Sequence, residues 1–106
     1  MQSYKNFIEN YIIAMEVTED DKKRVELLLK KFKPRILRLA VNFISFNSNV
    51  SEMKKYLIVH MEFHPDQREL YASSLLLDES EENELNVLSR NIATKGYDLN
   101  EIIPLD

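Results

Sequence analysis

Two histidines and a carboxylate, His60, Glu62 and His64, form the arrangement best suited to chemistry in this chain. Leu57, Val59, Met61 and Phe63 alternate with Ile58, His60 and Glu62, and this two-residue repeat predicts a β-strand over 55–63. On a strand the three polar side chains would share one face, about 7 Å apart. Two imidazoles with a carboxylate suit zinc or ferrous iron, but a straight strand spreads them too widely for one ion. We therefore predict no metal site and keep a metal- or ligand-binding protein as an alternative.

Other catalytic material is scarce. The chain has no cysteine and one glycine, Gly96, at the expected end of a helix. This composition excludes thiol nucleophiles, cysteine zinc sites and glycine-rich phosphate loops. None of the serines lies in a recognisable motif, so no nucleophile–base pair is visible. We predict a protein that is not an enzyme and needs no cofactor.

The net charge of −4 is unevenly distributed along the chain. Residues 22–38 carry eight lysines and arginines against one glutamate, Glu26. Clustered cations attract nucleic-acid phosphates, so a nucleic-acid-binding protein that uses this stretch is a second alternative. The overall isoelectric point of about 5.2 makes nucleic acid an unlikely partner.

An acidic block lies near the other end of the chain. Its carboxylates fall in the first turn of a predicted helix, where they stabilise the positive end of the helix dipole. The same residues would present negative charge to a basic partner protein and accelerate the association. The candidate partner-binding residues are Asp78, Glu79, Glu81, Glu82 and Glu84.

Apolar residues at three- and four-residue intervals predict three helices in the first half of the chain. Thr18 followed by three acidic residues predicts the start of the second helix, and Pro34 separates the second from the third. The side chains expected in the core are Tyr4, Phe7, Ile8 and Tyr11, then Val25, Leu28, Leu29 and Phe32, then Leu37, Ala40, Phe43 and Ile44.

The third of these helices has more apolar residues than a helix needs when only one of its sides packs against the core. Eight apolar residues lie between Ile36 and Phe46. Such a helix is either central to the fold or half of a subunit interface. We predict self-association, with a homodimer as the expected form.

The second half of the chain predicts mixed structure. A strand over 55–63 and a turn at Pro65 would be followed by a return strand over 70–77, although residues 65–77 also fit a helix. Ser80 is expected to open a last helix, with Leu85, Leu88 and Ile92 buried and Gly96 as its C-cap.

We therefore predict one α+β domain over residues 1–106, with three N-terminal helices, a β-hairpin or small antiparallel sheet, and a C-terminal helix. An all-α bundle is the alternative. The predicted function is a non-catalytic protein-binding module, such as an inhibitor, immunity protein, adaptor or chaperone, that acts through an acidic or apolar surface. The N-terminus has no signal-peptide pattern and no apolar run approaches 18 residues, which predicts a cytoplasmic protein without membrane contact.

Overall fold

The computed structural model describes residues 16–45 and 48–105, and all regular structure within these ranges is helical. The predicted α+β class with a β-hairpin is therefore wrong, and the all-α alternative fits. The α-helices are α1 (Glu19–Leu28), α2 (Pro34–Ile44), α3 (Val50–Phe63), α4 (Arg68–Ala72), α5 (Glu79–Lys95) and α6 (Leu99–Ile102), with 3₁₀ turns at Pro65–Gln67 and Ser73–Leu75.

Local signals fix the ends of the long helices. The Thr18 hydroxyl accepts a hydrogen bond from the Asp21 amide and caps α1, while Pro34 occupies the first turn of α2, both as predicted. Helix α5, which was expected to be opened by Ser80, begins at Glu79 because Asp78 provides the cap. Gly96 ends α5 in the left-handed conformation at φ 67°, which confirms the predicted C-cap.

Helix α3 replaces the strand predicted over 55–63. The alternation is confined to residues 57–63, whereas apolar residues at helical spacing begin at Val50. Val50, Met53 and Leu57 are buried at three- and four-residue intervals, so a helix places them on one side. The Asn49 side chain also caps this helix, because its oxygen accepts from the Glu52 amide at 2.9 Å.

Short helical turns replace the predicted return strand over 70–77. A strand at this position would have no partner, since the segment it was expected to pair with is helical. Tyr71, Ser74 and Leu77 are buried at three-residue intervals, which is the period of tight helical turns rather than of a strand. Pro65 opens the first of these turns, as the helical alternative required.

Helix α5 is the centre of the bundle and packs against α1, α2 and α3. The predicted core is confirmed over most of the described residues: Val25, Leu28, Phe32, Leu37, Ala40, Ile44, Leu85, Leu88 and Ile92 are buried. Leu29 and Phe43 are only half-buried. The C-terminal segment packs back on this core through Ile102 and Ile103, which are buried.

The predicted first helix, with Tyr4, Phe7, Ile8 and Tyr11, lies outside the described residues. Within residues 16–45 and 48–105, no helix combines the length and apolar character that crossing a membrane requires.

Candidate functional site

An apolar groove lies between α2 and α3 and has a volume of about 320 Å³. The two helices are consecutive and in contact, and Phe43 near the end of α2 packs against Tyr56 of α3. Buried side chains of both helices, including Ala40 and Met53, form its floor. The groove therefore continues the hydrophobic core outward to the surface.

Aromatic rings form one wall and one end of the groove. The Phe43 and Tyr56 ring centroids are 5.3 Å apart, and Tyr56 stacks on His60 at 6.2 Å. Tyr71 of α4 meets His60 edge-on at 5.1 Å and closes the end. Aromatic groups of this kind contribute large apolar contact areas and keep a polar atom at the rim, as protein interfaces require.

His60 has a fixed orientation in this wall. Its Nε2 lies 2.8 Å from the side-chain amide of Gln67, within hydrogen-bond distance. The ring also stacks on His64 with centroids 4.4 Å apart. The contacts of His60 are thus aromatic stacking and one hydrogen bond to a neutral amide.

The hypothesis of a metal site at His60, Glu62 and His64 rested on a strand, and the helix removes its geometry. Glu62 follows His60 by two positions, which is about 200° around a helix axis, so its carboxylate points away from the imidazole. Across the two described ranges, no three His, Cys, Asp or Glu side chains are placed to hold one metal ion.

Exposed apolar side chains extend the groove into a broader surface. Leu39 of α2 is 57% exposed, and Tyr56, Val59 and Phe63 of α3 are 55%, 52% and 77% exposed. Together with Phe43 these residues form what we call the α2–α3 face. Ile58 is also exposed, but it lies about 160° around α3 from Tyr56 and so outside this face.

Sequence reasoning found only half of this face. It identified α2 as too apolar for a core helix, but it assigned Tyr56, Val59 and Phe63 to a strand. The missed signal was the run of Val50, Met53 and Leu57 at helical spacing. Read as a helix, that run buries one side of α3 and leaves its aromatic side exposed.

The acidic block is largely engaged within the molecule. Glu81 accepts from Lys31 Nζ at 2.7 Å, Glu84 lies 2.9 Å from Arg24 Nε, and Glu82 pairs with Lys54. Asp78 caps α5 by accepting from the Glu81 amide at 2.8 Å. Glu79, also in this first turn, is exposed.

The contacts of Glu81 also change the pKa of its carboxylate. A hydrogen bond from the Asp78 amide to the Glu81 carboxylate, reinforced by Lys31, holds the pKa of Glu81 below its ordinary value. The negative charge of this side chain is thereby balanced inside the fold. Glu81, Glu82 and Glu84 thus connect α5 to the segments packed around it, while partner binding by the acidic block stays a prediction.

The basic stretch 22–38 is also partly engaged in internal contacts. Arg24 donates to Asp21 at 2.9 Å, Lys31 pairs with Glu81, and Arg38 donates to Asn100 at 2.9 Å. Exposed cations include Lys23, Lys30, Lys33 and Arg35, which lie on α1, on the turn after it and at the start of α2. The stretch therefore does not form one continuous basic helix face.

A buried carboxylate, Asp21, ties the start of α1 to the end of α5. Its side chain is fully buried and accepts hydrogen bonds from Asn91, Tyr97, Thr18 and Arg24. Burial raises the pKa of Asp21, but these hydrogen bonds outweigh it and hold the pKa below its ordinary value. With its acceptor capacity used inside the fold, this carboxylate has a structural role.

Comparison with known proteins yields no match: no family model, no curated protein and no solved structure is significantly similar to this chain. Function is therefore inferred from the geometry described above. Among the described residues, the α2–α3 face is where exposed apolar side chains adjoin an apolar groove.

Proposed function

We propose that this protein is a non-catalytic protein-binding module whose α2–α3 face takes an amphipathic helix of its partner. The observation that carries the proposal is the apolar groove between α2 and α3, flanked by exposed Leu39, Tyr56 and Phe63. A groove of this kind accepts the apolar side of a third helix, with anchor residues at three- and four-residue intervals.

The chemistry of the groove favours binding over catalysis. Among the described residues that line it, the titratable side chains are His60, Tyr56 and Tyr71. His60 is hydrogen-bonded to Gln67, and the described residues that line the groove include no carboxylate that could orient His60 or accept its proton. Exposed tyrosine and phenylalanine side chains at the centre of a surface are instead typical of binding hot spots.

The acidic block contributes to this proposal indirectly. Because Glu81, Glu82 and Glu84 pair with cations of the same chain, we assign them to stability rather than to partner contact. Apolar burial then supplies most of the binding free energy, at roughly 25 cal/mol per Å² before the costs of association.

Site-specific photo-crosslinking in cells of the source organism tests this function. Benzoylphenylalanine is introduced at Leu39 or Phe63 on the face, and at Ile58 or Leu76 as equally exposed positions away from it. We expect protein adducts from the first pair only, with the crosslinked peptide carrying apolar residues at helical spacing. Equal adducts from both pairs, or none from Leu39 and Phe63, would overturn the proposal.

A further inference from the structure

We infer that the helix seated on the α2–α3 face comes from a second copy of this chain, so that α2 and α3 of two protomers form a four-helix bundle. This inference rests on the proposed function and names the partner. A twofold arrangement presents the same surface from both subunits, so each apolar residue of one α2–α3 face meets an apolar surface on the other.

The first argument is the area of the face. A fully exposed side chain of this size presents about 150–250 Å², so Leu39, Tyr56, Val59 and Phe63 at their observed exposure leave roughly 400 Å² in water. Two such faces contribute about 800 Å² of apolar area. Because homodimer interfaces are about 65% apolar, this corresponds to an interface of about 1,200 Å² in total. That value reaches the range of specific, stable interfaces, about 1,200–2,000 Å².

The second argument is charge. The chain has a net charge of −4, which opposes self-association wherever charged surfaces meet. The five side chains of the α2–α3 face are uncharged. Lys54, which pairs with Glu82 of α5, lies on the opposite side of α3. Two copies that meet through these five side chains therefore bring uncharged groups together.

The charges at the margin of the face are also compatible with a twofold arrangement. Glu52 and Lys55 lie beside it on α3, one of each sign, and their side chains are 3.6 Å apart. In a twofold interface a margin that carries both signs is complementary to itself. These exposed charges set the register of the two copies, whereas the apolar side chains provide the affinity.

Sedimentation velocity of the full chain between about 1 µM and 1 mM tests the inference, because interfaces at the lower end of the size range are typically weak and concentration-dependent. We expect the weight-average mass to rise from 12.6 kDa toward twice that value. Val59→Asp should raise the dissociation constant at least tenfold. Ile58→Asp, at the neighbouring and similarly exposed position, should leave it unchanged.

Circular dichroism and urea unfolding of both variants show whether each retains the fold. A mass that stays at 12.6 kDa at all concentrations would overturn the inference, as would equal effects of Val59→Asp and Ile58→Asp. The crosslinking experiment separates this failure from failure of the proposed function. Adducts at Leu39 to a different protein, with a monomeric chain, leave the function standing and refute the second copy. Adducts to residues 1–15 of the same chain refute both.

Discussion

The Tyr97 hydroxyl donates a 2.9 Å hydrogen bond to Asp21 Oδ2, which joins two residues 76 positions apart in the sequence. Asn91 Nδ2 donates to the other carboxylate oxygen at 2.9 Å. These two hydrogen bonds therefore hold the first turn of α1 against the end of α5. Because Asp21 is fully buried, the cost of removing its charge from water is offset only while these donors stay in place.

Replacement of Asp21 by asparagine should destabilise the fold by about 3 kcal/mol, because the new amide cannot accept from all the donors that converge on this site. Asp20→Asn is the matched control, since Asp20 is exposed and also lies in the first turn of α1. It should cost less than about 1 kcal/mol, the range of a helix-dipole contribution. Urea unfolding measures both, and equal losses would show that the buried hydrogen bonds contribute nothing.

The contribution of Asp21 should also depend on pH. Its pKa is lowered in the folded protein, so the stabilisation is complete above the unfolded value of about 4 and is lost as the pH falls through the folded value. The difference in unfolding free energy between wild type and Asp21→Asn should be constant from pH 7 to 5 and shrink below pH 4. A difference that grows on acidification would contradict the assignment.

The predictability of the fold follows the strength of local signals. Thr18, Pro34 and Gly96 each restrict the backbone by a hydrogen bond, a ring or a left-handed φ, and the structure places a helix end at each. The alternation in residues 57–63 imposes no such restriction. A few apolar residues fit both a two-residue and a 3.6-residue period, and only packing of α3 against α2 and α5 decides between them.

The candidate site could be predicted only in part, because sequence patterns report on single helices and not on the contacts between them. The surplus of apolar residues between Ile36 and Phe46 is a property of one helix, and it predicted self-association through that helix. The groove depends on Tyr56 and Tyr71, which approach it only after α3 and α4 fold back against α2. Ion pairs across the bundle, such as Glu82 with Lys54, join segments that sequence periodicity does not relate.

Gly96 should tolerate substitution in the order asparagine, alanine, valine. Its φ of 67° is the left-handed conformation, and no atom lies within 4 Å of the position that a Cβ would take. Backbone strain is therefore the main cost, about 1 kcal/mol for alanine and less for asparagine, which adopts this conformation more readily. Thermal unfolding of the three variants ranks them, and a neutral Gly96→Ala would show that the strain is relieved elsewhere.

Lys31 should contribute more to stability than its neighbour Lys30. Its ammonium group donates to the Leu76 carbonyl at 2.8 Å and to Glu81 at 2.7 Å, and so holds the turn after α1 against the start of α5. Lys31→Met should cost about 1 kcal/mol, whereas Lys30→Met, at an exposed position, should be close to neutral.

Carboxyl-detected NMR titration provides a second measure of the same contact. The pKa of Glu81 should rise toward its ordinary value in Lys31→Met, because a donor to its carboxylate is lost. It should be unchanged in Lys30→Met. If the pKa of Glu81 moves in neither variant, the hydrogen bond with Lys31 does not persist in solution.

Charge reversal in the acidic block separates internal ion pairing from partner binding. Glu79→Lys and Glu82→Lys place the same cation in the first turn of α5 and carry the same helix-dipole cost. Glu82→Lys additionally sets like charges against each other at Lys54, so it should be destabilising by roughly 0.5–1 kcal/mol more. Urea unfolding should also show recovery in the swapped double variant Glu82→Lys with Lys54→Glu. If the two single variants are equally stable, Glu82 is free of its internal partner, and the acidic block becomes available as a surface for a basic protein.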